Sequence, residues 1–347
     1  MTVRMIMILL YGAGGVPGRG EIPMNTVQLT VTQVFPVRRK PPQGGVEDKY
    51  CGHIYIAVFK NSYEIYKEGG KAKMPNCKTI AVCNQKGGTG KTTTTVNLGI
   101  GLARLGKKVL LVDADPQGDL TTCLGWRDND GLTTTITDKL SEIMREENTN
   151  PQSGILHHEE NVDLLPANLE LSAMEMMLVT TMSRETVMRN YLSKVKDNYD
   201  YVLIDCMPSL GMVTLNALAA ADSVIIPVQA QYLPAKGMTQ LMQTIGKVKQ
   251  HINPSLKIDG ILLNIVDNRT NLAKSTADAL RQNYGSVIKI YRSTIPMAVK
   301  AAEVASKGVS IYKYEPNSPA AKAYAELAKE VLADGRKKER LHSADAR

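Results

Sequence analysis

From Lys78 onward, apolar runs of strand length alternate with segments of helical period. KTIAVCN (78–84), KKVLLVD (107–113), YDYVLID (199–205) and IDGILLN (258–264) are nearly continuous apolar runs. Such runs belong to strands buried on both faces, as in parallel sheets covered by helices. The alternation predicts a doubly wound, mainly parallel α/β sheet with helices on both faces, as one domain over residues 76–335. No internal repeat interrupts it.

Residues 1–75 read differently. A short apolar run with one arginine and glycines, MTVRMIMILLYGAGG, superficially resembles a signal peptide. A Pro/Gly/basic stretch, PVRRKPPQGG (36–45), reads as a linker, and HIYIAVF (53–59) is the one strand-like segment. The expectation is a leader outside the fold, either disordered or preceding a true start at Met74. Glu68-Gly69-Gly70 can be encoded by a purine-rich ribosome-binding sequence a few codons upstream of that methionine. Residues 336–347 read as a basic, flexible tail.

The first apolar run leads into QKGGTGKTTTTVNLGIGLARLG (85–106). A strand, a glycine-rich turn and a helix opening at Lys91-Thr92 form the context of a phosphate-binding P-loop. Gln85, Lys86, Gly87, Gly88, Thr89 and Gly90 supply backbone N–H groups to phosphate oxygens, and the helix N-terminus adds its positive end. Lys91 is placed to reach the β- and γ-phosphates, the Thr92 hydroxyl to sit on Mg²⁺, and Thr93 completes the cradle. Two further apolar runs end in acid, one in Asp113 and Asp115, the other in Asp205. Carboxylates at strand ends beside a P-loop have the form that holds Mg²⁺, usually through water.

The loop departs from the standard pattern. Gln85 stands where the first glycine is usual, and a second lysine, Lys86, precedes Lys91 by five residues. KGGxGKTT in this form resembles the deviant Walker A group of P-loop NTPases, which includes ParA/Soj partition ATPases, MinD and the nitrogenase iron protein. The resemblance implies that Lys86 reaches across a dimer to phosphates held by the other subunit. DADPQG resembles the family's switch I, which gives Asp115 the attacking water and Asp113 a place in the Mg²⁺ and lysine network. Residues 204–233 resemble switch II and its following strand, with Met207 in place of the usual first proline. On the same analogy Asn264 meets adenine, and Pro296 flanks the base. The C-terminal module, 293–331, also resembles ParA.

Charge follows this division. Residues 74–235 hold 13 basic and 19 acidic side chains, whereas 236–313 hold 12 basic and 4 acidic ones. The second segment has no aromatic residue except tyrosine, which suits a duplex phosphate backbone better than stacked single strands. Arg269, Lys274, Arg281, Lys289, Arg292 and Lys300 are the candidate DNA contacts. The family's two arginines near Pro296 are here Met297 and Lys300, and only the lysine can pair with phosphate.

The resemblance thus implies an ATPase that partitions DNA, of a chromosome, plasmid or integrated element. ATP and Mg²⁺ are its cofactors. An ATP-closed homodimer coats double-stranded DNA, and a ParB-like partner triggers slow hydrolysis and release, in the cytoplasm on the nucleoid. Two alternatives share the fold: a MinD-like positioning ATPase and a small-molecule ATP-dependent ligase. The tail RKKERLHSADAR has Leu341 as its sole bulky apolar residue, too little for a membrane-anchoring helix. Five cysteines without a CxxC pair indicate neither a disulfide framework nor a zinc site.

Overall fold

The computed structural model describes residues 34–36, 55–57, 77–229, 235–267, 270–297 and 301–345. The chain divides into two units, Met1–Ala72 and Lys73–Arg347. In the first, β1 (Val34–Pro36) pairs antiparallel with β2 (Tyr55–Ala57). The second strand falls in the strand-like HIYIAVF segment. The first opens the stretch that composition marks as a linker; its proline sits at the strand end, where a missing N–H is tolerated.

The second unit runs β3 (Lys78–Val82), α1 (Lys91–Arg104), β4 (Val109–Ala114), α2 (Asp119–Cys123), α3 (Ile136–Met144), β5 (Leu156–His158), β6 (Val162–Leu165) and α4 (Leu171–Val179). It continues with α5 (Val187–Val195), β7 (Tyr201–Cys206), α6 (Met212–Ala220), β8 (Ser223–Gln229), α7 (Ala235–His251), β9 (Lys257–Asn264), α8 (Asn271–Tyr284), α9 (Ala301–Lys307), α10 (Ile311–Tyr314) and α11 (Pro319–Asp345). Seven strands form one sheet in the order β5-β6-β4-β7-β3-β8-β9, parallel throughout except for β5 against β6. The doubly wound α/β sheet expected from the apolar runs is therefore the observed fold. Helix α11 continues through Asp345, past the domain end expected near 335; its last residues contain no proline or glycine beyond Gly335 to stop it.

Alternate residues of each central strand enter different cores. Leu110, Val112 and Ala114 of β4 join Val202 and Ile204 of β7 and the side chains of α3 to α7 on one face. Val109 and Leu111 join Leu203, Ile225 and the side chains of α1 and α11 on the other. All six residues of β4 and all six of β7 are buried, which is why neither strand shows polar alternation. Strand β7 returns between β3 and β4, so the chain leaves the two sides of this crossing in different directions. Ligands bind α/β sheets at such switch points, outside the carboxyl ends of the strands.

Helix α1 lies close on the sheet because of its glycines. A Cβ on Gly99 would come 2.5 Å from Leu111 Cδ2, and one on Gly101 would come 3.1 Å from the Ala328 Cβ of α11. This close approach fixes where α1 begins, and hence where its N-terminus meets a phosphate. Gly99→Val should overpack this layer and destabilise the fold by about 1–3 kcal/mol, read as a lower urea midpoint at unchanged m-value.

Candidate functional site

The loop from Cys83 to Gly90 joins β3 to α1, and side chains outside the glycine motif hold its shape. Asn84, buried at the end of the strand, donates from Nδ2 to Pro227 O of β8 (2.7 Å) and accepts the Lys86 N–H on Oδ1 (3.0 Å). Gly90 is the N-cap of α1 at φ 77°, a conformation that favours glycine. The same position lacks space for a side chain, because a Cβ there would collide with the Asn264 amide. Lys91 is buried, and its Nζ donates to Lys86 O at 3.4 Å, folded over the cradle it would share with a phosphate. Gly87 and Gly88 form the exposed tip, with nothing within 4 Å of where a Cβ would stand on either.

Two buried carboxylates face this loop. Asp113 of β4 and Asp205 of β7 are register partners on adjacent parallel strands. Asp113 accepts Thr121 N–H (2.9 Å) and Thr121 Oγ1–H (2.7 Å) on one oxygen, and Asp115 N–H (3.2 Å) on the other. Burial nevertheless pushes its carboxyl up to about 7, with the nearby Asp115 charge adding to the rise. Burial likewise pushes Asp205 well above the ordinary carboxylate range, and repulsion from Asp113 adds to it. Lys91 and the Thr92 side chain beside Asp205 act in the opposite direction. Asp205 Oδ1 takes a long hydrogen bond from Thr95 Oγ1 (3.5 Å), while its Oδ2 has no hydrogen-bond partner although it is buried.

An orphaned carboxylate oxygen beside a second buried carboxylate and a threonine side chain is a site short of positive charge. Among the described residues, no group of three or more His, Cys, Asp or Glu could hold a metal on its own. Two carboxylates and a threonine hydroxyl are the hard oxygen donors that Mg²⁺ takes, alongside waters and phosphate oxygens. Thr92, Asp113 and Asp205, the residues expected at the metal, lie together at these strand ends.

Asp115 follows β4 and is half-buried, with Oδ1 accepting the Gln117 N–H (3.0 Å). Asp119, to which the sequence reading gave no role, shares its surroundings: burial and then the Asp115 charge push its carboxyl up, and Lys91 draws it down. Asn84 and Thr121 were missed as well. Asn84 carries a signal, a polar residue directly after an apolar run; Thr121 lies eight residues beyond Asp113 and carries none.

Beside α1 lies a cavity of about 130 Å³, whose lining includes Thr93, Asn97, Asn264, Ile265, Pro296 and Tyr324. The chain beyond β9 builds one wall by running alongside that strand, with Ile295 N–H donating to Leu263 O (2.9 Å) and Met297 N–H to Val266 O (3.0 Å). The expected pair, Asn264 and Pro296, thus meet on one cavity. Asn264, however, is engaged within the protein. Its Nδ2 donates to Thr89 O (3.0 Å), Gly90 O (3.3 Å) and Thr94 Oγ1 (3.3 Å), and its Oδ1 accepts Ile265 N–H (3.0 Å). In this geometry the Asn264 amide braces β9 against the P-loop while the side chain lines the cavity. Ile265 stands at φ 54°, unusual for a β-branched residue, at the edge of the same cavity.

The candidate DNA contacts divide. Lys274 and Arg281 are exposed two helical turns apart on α8, the arginine in an exposed pair with Asp278 (3.1 Å). Arg292 is exposed beyond it. Lys289 is bound to Glu330 (2.8 Å) and Asp334 (2.6 Å) of α11 and lies 4.4 Å from the Tyr291 ring centroid, so its charge is engaged within the fold. Arg269 and Lys300 lie outside the described residues. No helix among the described residues is long and apolar enough to cross a membrane.

Comparison with known proteins identifies the family. The AAA domain family matches residues 77–258. The sporulation initiation inhibitor protein Soj of Bacillus subtilis is 44% identical over 258 residues, 74% of this chain and 99% of that protein. An uncharacterised protein of Mycobacterium tuberculosis is 39% identical over 320 residues, 92% of this chain and 98% of its own, a match that runs into the residues before 74. Among solved structures, cobyrinic acid a,c-diamide synthase from Mycobacterium smegmatis with bound ADP and magnesium superposes at TM-score 0.65 with 36% identity, covering 74% of this chain and 94% of that one. With a P-loop, an in-register acidic pair and 38% identity over 257 residues to the chromosome partitioning protein ParA of Caulobacter vibrioides, 74% of this chain and 94% of that protein, the chain belongs to the ParA/Soj family of partition ATPases.

Proposed function

We propose that this protein partitions DNA by an ATP-driven cycle of dimerisation, DNA binding and release. The observation that carries this reading is the convergence of Lys91 and Thr92 with the in-register pair Asp113 and Asp205, with Asp115 at the exit of β4. Lys91 and the backbone of 85–90 bind and orient the triphosphate. Thr92, Asp113 and Asp205 would hold Mg²⁺, which when bound supplies positive charge to the β- and γ-phosphate oxygens. Asp115, half-exposed at the mouth, orients the attacking water and accepts its proton. Lys86 reaches the phosphates of a second subunit; the open, exposed tip at Gly87 and Gly88 leaves room for that approach.

Binding energy couples the steps. ATP favours the dimer, and the dimer doubles the number of cations that DNA meets, so ATP and DNA each strengthen the other's binding. Lys274, Arg281 and Arg292 provide the described part of that cationic face. A ParB-like partner then accelerates hydrolysis by adding a basic residue near the developing negative charge, and the subunits separate from the nucleoid DNA.

The 36% identity to a cobyrinic acid a,c-diamide synthase favours a second reading, ATP-dependent ligation of a small carboxylate on the same scaffold. DNA discriminates between the two. With ATP, the protein should bind duplex DNA, and ADP should abolish binding. Three cations from each of two subunits make roughly six phosphate contacts, giving a log–log salt slope of about −5. Binding indifferent to nucleotide and salt would favour the ligase.

The lysines separate by role. Lys91→Ala should lose ATP binding and lower turnover by about 10²- to 10³-fold in a phosphate-release assay, and retained tight binding would refute the cradle. Lys86→Ala should bind ATP with little change yet remain monomeric by sedimentation velocity. Asp115→Ala should accumulate as an ATP-bound dimer on DNA, and wild-type turnover in that variant would remove Asp115 from the mechanism.

A further inference from the structure

Asn84 stands where β3 leaves the sheet, and both ends of its buried amide are used within the chain. Strand β3 pairs with β8 from Ile80 to Val82, and beyond them Cys83 N–H donates to Ile225 O (3.1 Å). Parallel ladders advance two residues per rung, so the next rung would join Gln85 N–H to Pro227 O. The Asn84 side chain takes that acceptor instead, with Nδ2 donating to Pro227 O at 2.7 Å. Pro227 has no N–H to offer in return, which ends the ladder from the side of β8. The chain therefore turns out of the sheet at residue 84 while the Pro227 carbonyl keeps a donor.

The other end of the amide acts on Lys86. Asn84 Oδ1 accepts Lys86 N–H at 3.0 Å. Lys86 O in turn accepts from Thr89 Oγ1 and from Lys91 Nζ, each at 3.4 Å. Both polar groups of the Lys86 peptide are thus engaged, which fixes the direction in which its side chain leaves the backbone. Gly87 and Gly88, immediately beyond, are exposed with nothing within 4 Å of a Cβ position, so they supply no such hold. A lysine stem is flexible, and the point from which it sweeps decides which phosphates it meets. An amide suits this post because it carries a separate donor and acceptor on one short side chain.

We propose that Asn84 is a positioning residue for Lys86, aiming that lysine at phosphates held by a second copy of this chain. The inference rests on the proposed role of Lys86 across the dimer, and it names the side chain that makes the reach possible. Asn84 acts through Lys86 rather than on nucleotide. Its loss should therefore leave ATP held by one subunit and weaken the joining of two.

The probe is an acyl-phosphate derivative of ATP, used with magnesium on the full chain. A lysine Nζ lying beside the terminal phosphate attacks the acyl carbon; an amide forms, the acyl–phosphate bond breaks, and ATP leaves. Mass spectrometry then counts the label on Lys86 and on Lys91 separately. In the wild type both should be labelled, with the share on Lys86 rising with protein concentration, as transfer between subunits requires. Asn84→Ala should keep Lys91 labelling and lower the Lys86-to-Lys91 ratio about tenfold or more, the scale of a misplaced contact. Its ATP-dependent dimerisation, read by sedimentation velocity, should weaken by a similar factor.

Where Asn84→Ala lowers the urea midpoint, Asn84→Asp repeats the comparison, since it keeps the size and the acceptor and loses the amide donor to Pro227 O. It should show the same split between the two lysines. A wild-type labelling ratio in these variants would overturn the proposal. So would a parallel loss on both lysines, which would make Asn84 a support of the whole cradle. Wild-type Lys86 labelling that is absent, or independent of protein concentration, would instead refute the reading of Lys86 across the dimer, whatever the Asn84 variants do.

Discussion

Two carboxylates buried side by side, Asp113 and Asp205, are the constraint around which the site is arranged. Adjacent parallel strands place them in register, and burial deprives both of the water that would stabilise their charge. The fold compensates them unequally. Asp113 is given the Thr121 hydroxyl and two N–H groups, whereas Asp205 keeps one oxygen with no hydrogen-bond partner. In the proposed function a cation shared with the phosphate oxygens of the adjacent cradle would complete this arrangement.

The surrounding packing holds these groups to the tolerance that phosphate chemistry needs. Glycines at 99 and 101 let α1 lie close to the sheet and to α11. Asn84 and Asn264 then fix the P-loop from two sides, one through β8 and the other from the end of β9. Neither asparagine needs to touch nucleotide to matter. On the acidic side, Thr121 ties Asp113 to α2, and Glu175 of α4 caps the first turn of α6, which follows β7.

The fold was legible because its strands are buried on both faces, which makes each a continuous apolar run, and because glycine and lysine mark the phosphate turn. The pairing of Asp113 with Asp205 was only partly legible: both strand ends are visible in sequence, but their adjacency depends on β7 inserting between β3 and β4. The bracing of the P-loop by Asn264 was not legible, since it depends on β9 ending within reach of Thr89 and Gly90. Lys289 counts as a cation in sequence, yet Glu330 and Asp334 reach it from a helix some forty residues away. Charge along a chain locates a basic segment but not which of its cations are already paired.

Asp205, with its unpartnered buried oxygen, is the residue proposed to meet Mg²⁺ most directly. Calorimetric titration of ATP into wild-type protein and Asp205→Asn, each with and without magnesium, isolates that role. Magnesium should strengthen ATP binding to the wild type, and Asp205→Asn should lose about 10- to 100-fold of that gain while keeping magnesium-free binding. An equal magnesium-dependent gain in both proteins would contradict it.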